Sequence, residues 1–396
     1  MRTRVAVLFV LSVIGVFAIS RTSAREELLH GRRAFVLENA RMRVSTLPGG
    51  GFIGEVRLKS DDPKVSINVM RVPHYQTIDP FTYDIKRDGE RYGTGMQRRL
   101  MSGYMGHFVT FPHFGRSSDK ELDEDYGQHG EAIAVEWQQK NVLHDNGRTT
   151  LTYGAELPKT RYRIDRTITL PDDETVAYVD EAVENLEVFG RPMQWVQHIS
   201  FGPPFVALGK NFVDGSVAKV AVRSGQTFTG VDSWPRLTDA AGGVRDLRAF
   251  TGRSSAWLMD GSGPRTWFTM YNVDEKVLVG YVLESAANRW VFDWQEFHET
   301  QEVPWNGQVV ARGICIGNSI AAGLQTAVKS GSQIGTPVVG WIDARARLSQ
   351  RYAVFLAEIP TSFRGVDSLT VGAGTITMKE RETGRDITLK ATGLLR

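Results

Sequence analysis

Four of the eight histidines lie in segments rich in glycine and aromatic residues, and they are the first candidates for chemistry. His107 and His113 lie in GHFVTFPHFGR, His129 lies in YGQHGEAIAVEW, and His198 lies in QWVQHISFGPPF. A further aromatic segment, WVFDWQEFHETQE, contains Glu296. Because an imidazole titrates near neutral pH and a carboxylate accepts protons, histidines combined with this glutamate suit general acid and base catalysis.

The same residues also have simpler explanations. A single histidine is more often a packed side chain that bonds to backbone than a catalytic group. Glu296 competes with Glu299 and Glu302 in the same segment. We favour Glu296 because the aromatic strand before it would deliver it to a cleft, whereas a run of charges is usually a solvated face.

A metal site is a second interpretation of the histidines. His107 and His113 are six residues apart, so an unbroken strand would place both on one face, and His129 could complete a three-histidine set. Pro112 argues against an unbroken strand. We therefore expect the protein to bind no metal, and the sequence contains no motif for a cofactor.

The elements that must position these residues are mostly β-strands. In the segment Tyr162–Leu186, the alternation of RYRIDRTITL, the turn PDDET and the second strand VAYVDEAVENL predict an antiparallel hairpin. Leu369–Met378 is expected to form a further strand, and only Ile320–Ser330 and Ala344–Tyr352 show short helical periodicity. The predicted fold class is all-β, a large antiparallel β-sandwich with few short helices.

The first 24 residues have the composition of a secretory signal peptide. Two arginines precede an apolar run from Val5 to Ile19, and small residues lead to Ala24. About fifteen apolar residues fall short of the roughly twenty that span a bilayer. We expect cleavage after Ala24, export to the periplasm or the medium, no membrane association of the mature chain, and a single domain over residues 25–396.

The net charge limits the expected binding partners, and the cysteine content limits the possible disulfides. Cleavage removes three arginines and no acidic residue, which changes the formal net charge from +2 to −1. Such a nearly neutral chain is not expected to bind nucleic acid. The single cysteine, Cys315, excludes an intrachain disulfide and is expected to be a buried packing residue. The oligomeric state is left open.

Taken in order, these motifs resemble the galactose mutarotase (aldose 1-epimerase) family. LENARMRVSTLPGGGFIGEVRL is similar to the opening strands, HFVTFPHFGR to the segment at the rim of the sugar cleft, and QHGEAIAVEW to the His-Gly motif before a tryptophan. The hairpin before QHISFGPPF and the late strand with WVFDWQEFHETQEVPWNGQVVARG complete the resemblance. The second histidine departs from the family pattern, because it usually stands in an Asn-His-x-Tyr-Phe context.

The resemblance implies a mutarotase-like sandwich and a role for each candidate. His198 would deliver a proton to the sugar ring oxygen, Glu296 would take the proton of the C1 hydroxyl, and His129 would bond near the ring. Sugar binding is implied for these residues: Arg116, His107, His113, Trp294, Trp305 and Asp293. Four aspartates compete for the hydroxyl-binding position of the family: Asp214, Asp232, Asp239 and Asp293.

The sequence therefore leaves two hypotheses for the function. The first is an isomerase of the aldose 1-epimerase type, which interconverts sugar anomers with one acid, one base and no cofactor. The second is a carbohydrate-binding protein that keeps the fold and an aromatic cleft without turnover. Tryptophans such as Trp294 and Trp305 would stack on sugar faces in either case, although most tryptophans fill cores.

Overall fold

The computed structural model describes residues 23–224, 227–238, 242–321 and 323–393. The predicted signal peptide lies outside the described residues as far as residue 22, and Ser23 and Ala24 belong to the first strand. Within the described residues, no helix is long and apolar enough to cross a membrane.

Antiparallel strands make up most of the chain. In chain order the strands are β1 (Ser23–Leu29), β2 (Arg32–Glu38), β3 (Met42–Leu47), β4 (Phe52–Leu58), β5 (His107–Thr110), β6 (Gln138–Asp145), β7 (Arg148–Leu157), β8 (Tyr162–Pro171), β9 (Val176–Asn185), β10 (Arg191–Met193), β11 (Val196–Phe201), β12 (Asn211–Gly215), β13 (Val217–Ser224), β14 (Thr227–Asp232), β15 (Arg236–Thr238), β16 (Val244–Asp246), β17 (Ser255–Met259), β18 (Arg265–Asn272), β19 (Val277–Glu284), β20 (Trp290–Phe297), β21 (Val310–Gly317), β22 (Ser332–Gln333), β23 (Thr336–Pro337), β24 (Gly340–Ile342), β25 (Arg347–Glu358), β26 (Val366–Gly372), β27 (Thr375–Glu380) and β28 (Asp386–Lys390). The described α-helices are α1 (Ile85–Tyr92), α2 (Arg98–Gly103), α3 (Asp119–Asp123) and α4 (Leu324–Ser330).

Two large sheets face each other. The first has the strand order β1-β2-β3-β4-β5-β11-β21-β20-β17-β13-β14, and the second has the order β12-β18-β19-β25-β9-β8-β7-β6. The main core lies between them and combines residues of both sheets, such as Ile199 and Ile316 of the first with Tyr281 and Val354 of the second. This confirms the predicted antiparallel β-sandwich with few short helices.

A third layer covers the outer face of the second sheet. The strands β26, β27 and β28 form a small sheet, whose Ile376 and Met378 pack against residues such as Tyr178 and Phe355. The chain thus buries a second apolar core beyond the one between the two large sheets. The division of the chain into a signal peptide and one domain stays a prediction.

The predicted hairpin is confirmed, and two local predictions are wrong. Strands β8 and β9 pair over most of their length, and the face of β8 that includes Ile164 and Arg166 is buried. The segment predicted as helix at Ala344–Tyr352 begins β25 instead, because its apolar side chains meet both neighbouring strands in the sheet. Leu369–Met378 contains a turn and forms parts of β26 and β27.

Helices α1 and α2 position the site although the sequence did not predict them. Asp84 caps α1 by accepting from the backbone N–H groups of Lys86 and Arg87. Leu100 and Met101 of α2 pack on the outer face of the first sheet, against Phe108. The helical segment therefore forms a wall over β5 and β11, on the side away from the main core.

Candidate functional site

The outer face of the first sheet carries a cavity of about 390 Å³. Six of the residues predicted from the sequence line it: Arg116, His129, His198, Trp294, Glu296 and Trp305. The cavity is also lined by residues that the sequence did not single out for the site: Gln97, Leu100, Met101, Tyr104, Phe114, Gly115, Gln128, Phe292, Thr300, Cys315 and Ile320. The predicted catalytic histidines and glutamate thus border one space.

Strand alternation explains which side chains reach this cavity. Successive side chains of a strand point to opposite faces. On β20, Phe292, Trp294 and Glu296 line the cavity, while Asp293 and Gln295 lie between them in sequence and face the main core. The same period on β11 turns His198 toward the cavity and Ile199 into the core.

His198 is held by an aromatic stack and two neighbouring strands. In the sheet it pairs with Phe108 of β5 and Cys315 of β21. Its ring stacks on Phe108, with centroids 4.5 Å apart and an interplanar angle of 14°. Trp294 lies on its other side at a centroid distance of 6.0 Å. The imidazole is therefore fixed in the floor of the cavity and is only 6% exposed.

Gly313 keeps the space between His198 and Trp294 open. A Cβ atom at this position would lie 2.9 Å from Cε3 of Trp294 and 3.4 Å from both Cε1 of His198 and Oγ of Ser200. The first distance is shorter than real Cβ contacts allow. The floor of the cavity therefore depends on a residue without a side chain at this point of β21.

Two hydroxyl groups lie behind His198 and determine where its proton resides. Nδ1 of His198 is 3.1 Å from Oγ of Ser200, and this Oγ is 2.6 Å from the hydroxyl of Tyr104. The geometry allows either hydroxyl of the Tyr104–Ser200 pair to donate. We assign Tyr104 as the donor, because Ser200 is the partner that the described residues give to the buried Tyr104 hydroxyl. In this assignment Ser200 donates to Nδ1, and the ring proton is on Nε2.

Burial makes this imidazole neutral. Burial and, to a smaller extent, the nearby Arg71 guanidinium together lower the pKa of His198 to about 3, although a hydrogen bond to the residue's own backbone opposes this shift. A neutral ring with its proton on Nε2 is a hydrogen-bond donor rather than an imidazolium acid at neutral pH.

His129 is a second neutral imidazole in the same cluster. Its ring centroid is 5.2 Å from that of His198. Nδ1 accepts a hydrogen bond from the backbone N–H of Gly115 at 3.1 Å, which leaves the proton on Nε2. Nε2 lies 3.2 Å from the side-chain amide of Gln128, so this amide must turn its oxygen toward the ring to accept the proton. Burial, together with His198 and His113, holds the pKa of His129 well below its ordinary value.

The backbone around His129 explains the His-Gly pair. His129 has φ +69° and Gly130 has φ +87°. A Cβ atom on residue 130 would lie 2.2 Å from the carbonyl oxygen of Phe111, so glycine is required there. This turn directs the imidazole of His129 over β5 toward the cavity.

Glu296 lies at the end of β20 and is fixed by the loop that follows. Oε1 accepts from the backbone N–H groups of Glu299 at 2.7 Å and Thr300 at 2.9 Å, and Oε2 accepts from the Thr300 hydroxyl at 2.8 Å. An ionised carboxylate has about four acceptor positions, so one stays free for another donor. Glu296 lines the cavity, whereas the competing Glu299 is exposed and does not.

The strand register sets the distance between the imidazoles and the carboxylate. His198 on β11 pairs with Cys315 of β21, and Glu296 on β20 pairs with Ala311 of the same strand. Strand β20 is the second strand from β11, and Ala311 is four residues from Cys315 along β21. On a flat sheet this corresponds to roughly 16 Å between the two Cα atoms, before the side chains reach toward each other. Trp294 occupies the floor between them. A ligand that contacts both groups must therefore lie across Trp294.

Tyr104 and Trp305 form an aromatic wall beside Trp294 of the floor. Trp294 and Trp305 have centroids 5.7 Å apart, and Tyr104 lies 6.3 Å from Trp294 and 6.2 Å from Trp305. Apolar faces of this size beside polar groups suit ligands that have both apolar faces and hydroxyls.

Arg71 is a buried cation behind this wall. Its guanidinium carbon lies 4.3 Å from the Tyr104 ring centroid and 5.5 Å from that of Trp305, and Nη1 donates to the Tyr104 carbonyl at 2.6 Å. The described residues place no carboxylate at ion-pair distance from it. Arg71 therefore adds positive potential beneath the cavity, and a lone arginine in the apolar run Val69–Pro73 is the sequence signal for it.

The structure places His107 away from the cavity, in contrast to its predicted substrate-binding role. Its ring lies in the main core, 5.7 Å from the ring centroid of Tyr281 and 5.6 Å from that of Tyr352. Nε2 lies 2.8 Å from Oε1 of Gln197, and burial holds the pKa of His107 well below its ordinary value. The reason is again strand alternation, because Phe108 faces the cavity side and His107 therefore faces the core.

His113 and Asp293 are also placed elsewhere. His113 is buried in the loop after β5, where its Nε2 lies 3.2 Å from the Ser117 hydroxyl. Asp293 forms a fully buried ion pair with Arg312 at 2.9 Å. Burial raises the pKa of Asp293, and Arg312 opposes this shift.

Of the remaining aspartate candidates, the two that the structure describes, Asp214 and Asp232, do not line the cavity. Asp214 pairs with Arg381, Asp232 lies in β14, and Asp239 lies outside the described residues. The metal interpretation has no support from this arrangement, because His107 and His129 lie on opposite faces of the sheet. Among the described residues, no cluster of three or more histidine, cysteine, aspartate or glutamate residues could hold a metal.

Comparison with known proteins gives matches in structure alone. No protein-family model matches the sequence, and no curated protein matches it. A galactose mutarotase-like protein from Clostridium acetobutylicum matches with a TM-score of 0.56 and 14% identity, over 86% of this chain and 99% of the other.

Two further solved structures have the same fold. A protein from Klebsiella pneumoniae, named as a candidate aldose 1-epimerase, matches with a TM-score of 0.61 and 12% identity, over 85% of this chain and 84% of the other. A galactose mutarotase-like protein from Lactobacillus casei matches with a TM-score of 0.51 and 13% identity, over 82% of this chain and all of the other. The chain therefore has the galactose mutarotase-like fold, as a divergent example with low sequence identity to its structural neighbours.

Proposed function

We propose that the protein interconverts the anomers of a sugar by general acid and base catalysis, as an isomerase of the aldose 1-epimerase type. The observation that carries this proposal is the single cavity with two neutral imidazole donors at one end, the Glu296 carboxylate at the other and Trp294 on the floor between them. The reaction uses proton transfer alone, so the chain's own side chains can supply it.

Glu296 acts as the base in this proposal. The three donors from the loop after β20 fix its orientation and leave one acceptor position for the C1 hydroxyl of the sugar. Proton removal from this hydroxyl drives cleavage of the bond between C1 and the ring oxygen, which opens the ring.

His198 acts on the ring oxygen. Its Nε2 proton passes to the oxygen as the bond breaks, and Ser200 and Tyr104 return a proton to Nδ1 through their hydroxyl groups. Burial raises the pKa of Tyr104, and the Arg71 guanidinium, 4.3 Å from the Tyr104 ring centroid, opposes this shift and stabilises the negative charge left on the phenolic oxygen. Rotation about C1–C2 and the reverse proton transfers then close the ring on the other face, while His129 donates a further hydrogen bond to a sugar oxygen.

Polarimetry on freshly dissolved glucose, galactose and a panel of oligosaccharides and modified sugars tests this function. We expect the protein to accelerate the approach to anomeric equilibrium. Glu296→Gln and His198→Asn should each lower the rate per folded molecule by roughly 10²- to 10⁴-fold. The exposed Glu299→Gln is the matched control, and it should keep full activity.

Two outcomes would contradict the proposal. A protein that binds sugars of the panel in calorimetry but leaves their mutarotation rate unchanged would be a non-catalytic carbohydrate-binding protein. A destabilised His198→Asn variant with full specific activity would remove His198 from the mechanism, since a buried imidazole bonded to neighbours costs about 1 to 3 kcal/mol when those neighbours are left unsatisfied.

We also propose that the protein acts outside the cytoplasm. The support is the N-terminal segment, whose charged start, apolar run and small residues match a secretory signal peptide. Mass spectrometry of the mature protein should find its N-terminus near Arg25, whereas an intact Met1 on a cytoplasmic form would contradict export.

A further inference from the structure

The cavity that contains His198 and Glu296 continues into a second, larger hollow. The first has a volume of about 390 Å³, and the second has about 720 Å³. The two hollows share six lining residues: Gln97, Met101, Arg116, Gln128, Thr300 and Trp305. They therefore form one cleft, and we call the second hollow the outer lobe.

Two chain segments build the outer lobe. The first connects α1 to α2 and contributes Gly93, Gly95 and Met96, and the second is the loop after β20, with Glu302 and Val303. The segments approach each other closely, because a Cβ atom on residue 93 would lie 3.5 Å from the carbonyl oxygen of Val303. The outer lobe is thus formed by the elements that also cover the inner cavity.

The lining of the outer lobe combines apolar surface with unpartnered polar groups. Met101 and Trp305 supply apolar area. The side chains of Gln97, Arg116 and Glu302 make no hydrogen bond or ion pair with other residues in the part of the chain that the structure describes. An amide, a guanidinium and a carboxylate beside an indole offer donors and acceptors for hydroxyls, and an apolar surface for a sugar ring.

The size and charge of the outer lobe indicate what binds there. Cavities of about 300 to 1,000 Å³ hold drug-sized ligands, so the inner cavity alone accommodates one sugar ring. The outer lobe has space for more than the ring on which the chemistry occurs. Arg116 and Glu302 carry opposite charges, and the third charged lining residue, Arg98, is paired with Asp125, so the lobe favours a neutral ligand over an anionic one.

We propose that the physiological substrate is a neutral oligosaccharide, with its reducing-end ring in the inner cavity and the following rings in the outer lobe. This inference rests on the proposed function, because the reducing end is the ring that His198 and Glu296 would act on. It makes the outer lobe a binding site for sugar residues that do not react.

Gly95→Trp tests the outer lobe without changing the inner cavity. Gly95 lines the outer lobe but not the inner cavity. No atom lies within 4 Å of a Cβ built on it, so an indole can be placed there without a clash at its base. Gly263→Trp is the matched control, because Gly263 is exposed just before β18 and has equally open surroundings.

The experiment measures binding by calorimetry with glucose, galactose, maltotriose, cellotriose and β-1,4-galactotriose. We expect at least one trisaccharide to bind the wild type about tenfold more tightly than its monosaccharide, from one stacking contact and one or two hydrogen bonds. Gly95→Trp should remove this difference and leave the monosaccharide affinity unchanged, while Gly263→Trp should bind all sugars as the wild type does.

Two results would overturn the inference. The first is that no trisaccharide of the panel binds the wild type more tightly than its monosaccharide, and the second is that Gly95→Trp weakens both equally. Polarimetry on the same proteins separates this failure from failure of the proposed function. Anomer interconversion without any effect of Gly95→Trp overturns the outer lobe alone, whereas oligosaccharide binding that depends on the outer lobe without rate acceleration overturns the catalysis alone.

Discussion

At the scale of single residues, the hydrogen bonds behind His198 decide what this imidazole can do. In the assigned arrangement the buried Tyr104 hydroxyl donates to Ser200, and Ser200 donates to Nδ1 of His198. The ring proton of His198 is then on Nε2. Because its pKa is lowered to about 3, the ring donates a hydrogen bond in the neutral form. Ser200 and Tyr104 are thus positioning residues that act through His198.

Ser200→Ala tests this arrangement. Without its hydroxyl, Nδ1 loses its donor, so we expect the His198 ring to change from one tautomer to a mixture and turnover to fall by about tenfold or more with KM nearly constant. Two-dimensional ¹⁵N NMR of the imidazole nitrogens reports the tautomer without any need for activity. A wild-type spectrum with the proton on Nδ1 of His198 would contradict the arrangement.

At the scale of secondary-structure elements, three neighbouring strands build the floor of the site. Strand β21 lies between β11 and β20, so it contributes Cys315 beside His198 and Gly313 beside Trp294. The predicted packing role of Cys315 agrees with its burial, and its place in the sheet makes it part of the floor as well.

Gly313→Ala tests the floor. The added methyl group would lie 2.9 Å from Trp294, so the indole must move toward the cavity. We expect kcat/KM to fall by about tenfold or more, with a stability cost of about 1 to 3 kcal/mol from overpacking. Gly372→Ala, at the end of β26 and away from the site, is the control that should keep activity. A Gly313→Ala enzyme with unchanged kcat/KM would show that Trp294 does not define the floor.

At the scale of the whole molecule, several histidines are buried in the neutral form. Burial lowers the pKa of His107, His113, His129 and His198 below the ordinary value. In the unfolded chain these rings take up protons near pH 6.5. The unfolded state therefore binds more protons as the pH falls below that value, and the folded state loses stability.

Chemical denaturation between pH 7 and pH 5 tests this property. The stability that the neutral rings contribute is fully present above about pH 6.5 and is lost as the pH falls toward the folded-state pKa values. The loss is at most about 1.4 kcal/mol per pH unit for each histidine that stays neutral in the fold. His198→Asn should flatten the slope by one such contribution, after correction for its change in stability at pH 7. A free energy of unfolding that stays constant from pH 7 to pH 5 would show that these rings are protonated in the fold.

The sequence by itself determined the strand periods, and with them the relative faces of neighbouring residues. The alternation in β20 requires Asp293 and Glu296 to lie on opposite faces of one strand, and the same rule separates His107 from Phe108. The hairpin at Tyr162–Leu186 was likewise recognisable, because its turn residues and strand alternation are local signals.

Only the tertiary structure decided which face of each strand borders the cavity. That choice depends on the strand order β5-β11-β21-β20, which brings Phe108, His198 and Cys315 together from distant parts of the chain. It also depends on α2, whose Leu100 and Met101 pack against Phe108, and on Tyr104 just after α2, which contacts Arg71. Pairings between distant segments leave no periodic signal in a single sequence, so His107 and Asp293 could be assigned to the core only once the sheets had been assembled.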